Sequence, residues 1–89
     1  QGYRVDLNDV ESNLKKISGI EEAFAYLKEK SNLKVLSCVI KSKVVKNEDY
    51  IIKKISKNLP NYMVPKKIFI FENFPLNRSG KIDRKKIMI

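Results

Sequence analysis

The stretch that decides the fold is Asn47-Glu48-Asp49-Tyr50-Ile51-Ile52-Lys53-Lys54-Ile55-Ser56-Lys57-Asn58-Leu59-Pro60, continuing through Asn61-Tyr62-Met63-Val64-Pro65 to Ile68-Phe69-Ile70-Phe71. Asn47 is a helix cap by residue type. Glu48 and Asp49 then sit in the first turn and Lys53, Lys54 and Lys57 in later ones, which matches the helix dipole at both ends. Ile51, Ile52, Ile55 and Leu59 form the stripe such a helix must bury. Pro60 ends the helix, and Pro65 is expected to keep Asn61–Val64 extended. The run Ile68–Phe71 is apolar at every position and rich in β-branched and aromatic residues. It predicts a strand covered on both faces, at the core of the sheet.

Working back toward the N-terminus, Leu33–Ile40 and Glu22–Glu29 read as two strands joined through Ser31-Asn32, an antiparallel hairpin. A strand, a helix and a further strand normally form a right-handed parallel unit, so Ile68–Phe71 should run parallel to Leu33–Ile40. Whether the first strand lies between them is left open. Asn8 with Glu11 is a plausible helix start, Val10, Leu14 and Ile17 share a helical face, and Gly19 suits a left-handed stop. Gly2–Asp6 has strand-like residues. In the tail, Ser79-Gly80 signals a turn and Asp83 is placed to cap a short last helix. The expected fold is α+β: a small three-stranded mixed sheet packed with two main helices, a short N-terminal strand segment and a short C-terminal helix.

The 89 residues allow one domain with one thin core, and the sequence reads as a fragment of something longer. There is no His, which removes the commonest metal ligand and general base, so zinc sites and Ser/His triads are excluded. The single Cys38 reads as a small buried hydrophobe. With no signal peptide, it fits a reducing, cytoplasmic setting. No apolar run is long enough to span a bilayer. The net charge of +9 is uneven: residues 1–40 hold six basic and six acidic side chains, residues 41–89 thirteen and four. Such an excess suits an anionic partner or simply a solvated Lys-rich face.

Lys81 follows the turn and precedes an anchoring Ile82, a placement that holds an ammonium at the tip of a projecting loop. A lysine there is a mobile point charge suited to bridging two anionic oxygens. By composition alone it is also one exposed Lys among many.

Two motifs bear on that choice. Leu59-Pro60-Asn61-Tyr62-Met63-Val64-Pro65 with Phe74-Pro75-Leu76-Asn77-Arg78-Ser79-Gly80-Lys81-Ile82-Asp83-Arg84-Lys85 closely resembles the last core motif of adenylate-forming enzymes. Gly2-Tyr3-Arg4-Val5-Asp6-Leu7, with Asn8-Asp9-Val10-Glu11, resembles the later part of the motif that opens their small C-terminal subdomain. The resemblance therefore spans essentially the whole chain. Tyr62-Met63-Val64-Pro65 and Gly80-Lys81-Ile82-Asp83-Arg84-Lys85 look most like the branch that loads carrier proteins, the adenylation domains of nonribosomal peptide synthetases and D-alanyl carrier protein ligases. Coenzyme A synthetases more often carry Lys-Val-Pro and Gly-Lys-Ile-Leu-Arg-Arg.

The resemblance implies that residues 1–89 are the C-terminal lid subdomain of such a ligase, working with a large N-terminal subdomain of the same chain that holds most of the contacts to ATP and Mg2+. It implies that a carboxylic acid, an amino acid by the branch, is joined to AMP and then passed to the phosphopantetheine thiol of an acyl or peptidyl carrier protein. Lys81 aligns with the lysine that bridges the reacting anions, with Ser79 and Gly80 shaping its loop by a tight turn and close approach. Gly2 aligns with the glycine along the pantetheine path, with Tyr3 and Arg4 on the adjacent strand; Arg4 reads equally as a structural ion-pair former or a contact to partner or nucleotide. The subdomain alone should be inactive. Asp83 and Arg84 read as structural, and Tyr62, Met63 and Pro65 as packing the end of the second helix against the last strand. The alternatives are an acyl-coenzyme A synthetase subdomain, a small basic nucleic-acid-binding module, or a purely structural domain derived from such a ligase. The nucleic-acid reading lacks interleaved exposed aromatics, since Phe69 and Phe71 read as core, so nucleic acid is not an expected partner.

Overall fold

The computed structural model describes residues 5–88. In chain order it contains α1 (Leu7–Lys15), β1 (Glu22–Lys30), β2 (Leu33–Lys41), α2 (Glu48–Ser56), a 3₁₀ turn (Asn61–Met63), β3 (Lys67–Phe71) and α3 (Arg84–Ile87). The sheet order is β1-β2-β3, with β1 and β2 antiparallel and β2 and β3 parallel. The three-stranded mixed sheet with its helices is the α+β arrangement expected, while the N-terminal strand segment expected over Gly2–Asp6 lies mostly outside the described residues, and Val5 and Asp6 are not in a strand. The hairpin turn is two residues long, and Ser31 (φ 51°) and Asn32 (φ 67°) are both left-handed, as a tight type I′ turn requires.

Alternation along the strands divides the core in two. Ala23 and Ala25 of β1, Leu36, Cys38 and Ile40 of β2 and Ile68 of β3 face α1 and α2, where they meet Val10, Leu14, Ile51 and Ile55. Phe24, Tyr26, Val39, Phe69 and Phe71 point to the opposite face, which the chain covers with its own tail through Phe74, Ile82, Ile87 and Met88. A sheet apolar on both faces needs two covers, and the second cover is what brings residues 74–88 onto the body.

The sheet's two outer edges receive parallel treatment. Ala25 of β1 donates its N–H to Glu11 Oε2 of α1 at 2.8 Å. Ile68 of β3 donates to Glu48 Oε2 of α2 at 2.9 Å. Each helix thus supplies a carboxylate to an edge N–H that no strand pairs, which satisfies the donor and blunts the edge.

Several local expectations do not hold. Asp6, not Asn8, caps α1: its Oδ1 accepts from Asn8 N at 3.0 Å and Asp9 N at 3.3 Å, an anion at the positive end of the helix dipole. Glu11 is consequently free to serve β1 rather than close a capping box. The helix ends at Lys15, before Gly19, whose φ of +96° belongs to the following turn. A Cβ on Gly19 would lie 2.5 Å from Val44 Cγ2, so the position needs glycine for room as well as conformation. The 3₁₀ turn replaces the extended linker, with only Val64 (φ −85°, ψ 124°) extended before Pro65. β3 is an edge strand and β2 the central one. The long hairpin partner occupies one side of β2, and the crossover through α2 can reach only the other. Met63 and Pro65 are buried as expected, whereas Tyr62 is 43% exposed. Asp83 stands at the α3 cap position but makes no side-chain capping hydrogen bond.

Candidate functional site

The tail leaves the body after β3 and returns to it twice. Phe74 inserts first: its ring centroid lies 5.7 Å from those of both Phe24 and Phe71, edge-on to the latter. Ile82 and Ile87 are the second attachment. Between these anchors, a bridge pairs Leu76 with Ile82, and Asp83 N donates to Pro75 O at 2.8 Å. Residues 77–81 are therefore a short loop standing off the body on a two-stranded base, and all five are exposed. Lys81 occupies its exit side, and among the described residues its ammonium is in no ion pair.

Gly80 turns the loop with φ +81°, and its N–H donates to Asn77 O at 3.0 Å. Nothing lies within 4 Å of where a Cβ would be, so within this chain the glycine serves conformation rather than room. Ser79 N donates to Asn77 Oδ1 at 2.9 Å. Sequence reasoning groups Ser79, Gly80 and Lys81 in one loop but misses Asn77, to which their backbone is tied. An Asn two residues before a Ser-Gly pair is an Asx-turn signal that could have revealed it. Gly2, Tyr3 and Arg4, assigned to the pantetheine path, lie outside the described residues.

Arg84 places its guanidinium carbon 4.6 Å from the centroid of Phe24, so it is a stacking residue that holds α3 to the sheet. Lys85 and Lys86 beside it are exposed. Ahead of the loop, Lys46 Nζ donates to Glu72 Oε2 at 2.7 Å, a bond that holds the Glu72 carboxyl below the usual carboxylate range. On the helix-facing side of the sheet, burial, aided by the nearby Glu11 carboxylate, pushes the Cys38 thiol up to about 12, which makes it inert as a nucleophile. Among the described residues no three His, Cys, Asp or Glu side chains stand together as metal ligands. No helix among them is long and apolar enough to cross a membrane.

The family described as AMP-binding enzyme C-terminal domain matches residues 9–81. A plipastatin synthase polypeptide of Bacillus subtilis (strain 168) is 35% identical over 86 residues, covering 96% of this chain and 3% of that protein. The D-alanine–D-alanyl carrier protein ligase of Listeria monocytogenes (serovar 1/2a) is 37% identical over 93 residues, covering 97% of this chain and 18% of the ligase. Among solved structures, a four-domain nonribosomal peptide synthetase bound to AMP and glycine superposes with a TM-score of 0.81 at 30% identity, covering 94% of this chain and 6% of the synthetase. This chain therefore spans less than a fifth of each of these relatives.

Proposed function

The chain belongs to the AMP-binding enzyme C-terminal domain family of adenylate-forming ligases, and we propose that residues 1–89 act as the mobile C-terminal subdomain of an ATP-dependent ligase that activates an amino acid as its adenylate and passes it to a carrier-protein thiol. The observation that carries this reading is the Lys81 loop: an ammonium in no ion pair among the described residues, set on a glycine turn and staked to the body on both sides by Phe74 and Ile82. On this reading the loop needs a partner to complete a site, and a large N-terminal subdomain supplies the pockets for ATP and the carboxylic acid. The chain alone is inactive.

In the first reaction a carboxylate oxygen attacks the α-phosphorus of ATP, the bond to the bridging oxygen breaks, and pyrophosphate leaves with its electron pair. Two anions must meet, and negative charge spreads over the phosphate oxygens as they do. The Lys81 ammonium fits the space between them as a three-donor point charge, lowering the repulsion that opposes approach. Gly80 gives the loop its reversal and Ser79 its exposed crest. We assign no magnesium ligand to the described residues; the ion would enter with the nucleotide and neutralise phosphate charge.

In the second reaction the thiol sulfur attacks the acyl carbon, the bond from that carbon to the phosphate oxygen breaks, AMP departs with the electron pair, and the thiol proton is released to solvent. The subdomain turns, so that Lys81 withdraws and the opening segment takes its place. By the resemblance, Gly2 corresponds to the glycine along the pantetheine path, where any Cβ would obstruct the arm, and Tyr3 and Arg4 follow it in the sequence. These three assignments rest on the sequence resemblance. The excess of exposed lysines after residue 41 would steer an acidic carrier protein to this subdomain. The Listeria relative is a carrier protein ligase, which favours a carrier over coenzyme A as acceptor.

The test is ATP–pyrophosphate exchange by the complete ligase. Lys81→Ala should lower it on the order of hundredfold or more, while thiol transfer from preformed acyl-adenylate suffers far less. Unimpaired exchange would overturn the assignment. Parallel loading of holo-carrier protein and coenzyme A identifies the acceptor.

A further inference from the structure

We propose that Asn77 is a positioning residue that fixes the backbone of Lys81, an inference that rests on the reading of Lys81 just given and extends it to the loop's internal architecture. No residue from 77 to 81 is buried, so packing cannot shape this loop; its conformation depends on hydrogen bonds. Four of them converge on Asn77. Its N–H donates to Lys81 O at 2.7 Å and its carbonyl accepts from Gly80 N at 3.0 Å. Its side-chain Oδ1 accepts from Ser79 N at 2.9 Å and from Lys81 N at 3.1 Å.

Both backbone polar groups of Lys81 are thus bound to a single residue, one through the main chain and one through the side chain. The side-chain bond is the one a substitution can remove. Without it, Lys81 N and Ser79 N would face water, and the lysine's Cα would be tethered on one side only. An ammonium on a long flexible stem already has rotamer freedom to lose, and further freedom at its Cα would lower the fraction of time it spends between the reacting anions. The residue type also fits: a neutral amide accepts two N–H groups without placing a second charge beside the ammonium it positions. Because the loop is exposed and outside both core clusters, such an arrangement contributes little to global stability, which separates positioning from folding.

The experiment uses the complete ligase and two readouts. Hydrogen–deuterium exchange over residues 78–82 should speed up about tenfold in Asn77→Ala, the scale of one lost hydrogen bond, and stay near wild type in Asn77→Asp, which keeps the acceptor oxygen. In pyrophosphate exchange, Asn77→Ala should lower kcat about tenfold with KM for ATP moving less than about twofold, and in a Lys81→Ala background the same change should cost less than about twofold. Unchanged hydrogen exchange in Asn77→Ala overturns the proposal. So does an equal loss of kcat in both backgrounds, the mark of a general structural defect. If Lys81→Ala leaves adenylation intact, the catalytic reading fails and the positioning role in catalysis with it, while the hydrogen-exchange comparison still decides whether Asn77 holds the loop.

Discussion

The helix-covered face of the sheet and the Asn77–Lys81 loop are built by opposite means. Between α1, α2 and the sheet, Val10, Leu14, Ala23, Cys38, Ile40 and Ile51 are fully buried. Polar groups there are paired off individually: Ser42 Oγ donates to Gly19 O at 2.7 Å and accepts from Val45 N at 2.9 Å. In the loop nothing is buried, and four hydrogen bonds to one residue do the shaping. The difference teaches where each property resides. Stability belongs to the apolar body, where contacts are dense. The loop contributes a positioned charge, which must stay exposed to meet anything. Phe74 and Ile82 are where the two are joined, and Phe74 is the buried one.

Breaking that joint should produce the largest effect. Phe74→Ala removes the ring packed against Phe24 and Phe71 and should lower stability in denaturant unfolding by about 3–5 kcal/mol. A loss below about 1 kcal/mol would mean that the tail is not integral to the second core cluster. Next, Lys81→Ala should alter unfolding stability by no more than about 0.5 kcal/mol, although its effect on adenylation by the complete ligase corresponds to about 2.7 kcal/mol or more of barrier. A matching loss in both measurements would erase the distinction between body and loop.

A smaller effect sharpens the account of the body itself. Glu48→Ala leaves the N–H of Ile68 without its acceptor and should cost about 1–2 kcal/mol, with faster amide exchange confined to β3 and the start of α2. Exchange that accelerates in β1 instead would show that the edges are coupled rather than separately protected.

At neutral pH the smallest effect is that of Cys38. Its folded pKa, about 12, lies above the ordinary thiol value of 9.0, so the folded state holds this proton more tightly than the unfolded chain does. The stabilising contribution is therefore fully present below pH 9 and is lost as pH rises from 9 through 12. Cys38→Ser, which does not titrate in that range, should show a shallower decline of stability over the same interval. A thiol reagent at pH 8 should label the native protein much more slowly than the unfolded chain; equal rates would contradict burial of the thiol.

Much of this architecture could be read from short stretches. The α2 stripe of Ile51 and Ile55, capped by Asn47, and the strand-forming residues of β1 and β2 on either side of Ser31-Asn32 are local patterns with a single good solution. Asn47 does cap α2, accepting from Asp49 N at 2.8 Å. The parallel pairing of β2 and β3 followed from the handedness of crossovers. The Ser79-Gly80-Lys81 turn was legible as well, because positive φ at a glycine is a local demand. Other features were not local. Glu11 resembled part of a capping box, yet Asp6 took the cap and Glu11 crossed to Ala25. The run Ile68–Phe71 looked like a central strand, yet its outward face is apolar because the tail returns to cover it.

By itself, then, the amino-acid order determined the two main helices and the three strands, where the chain must reverse between them, and that one lysine follows a glycine turn in a motif shared with adenylate-forming enzymes. Only the tertiary structure decided that β2 is central, that two glutamates protect the sheet edges, and that Phe74 and Ile82 stake down a loop whose lysine backbone is tied to Asn77. The physical reason is range. Periodicity, capping type and turn preference act between residues a few positions apart. Strand order, edge protection and anchoring depend on which surfaces meet after the chain has closed, and several choices with the same local cost differ only in that closure.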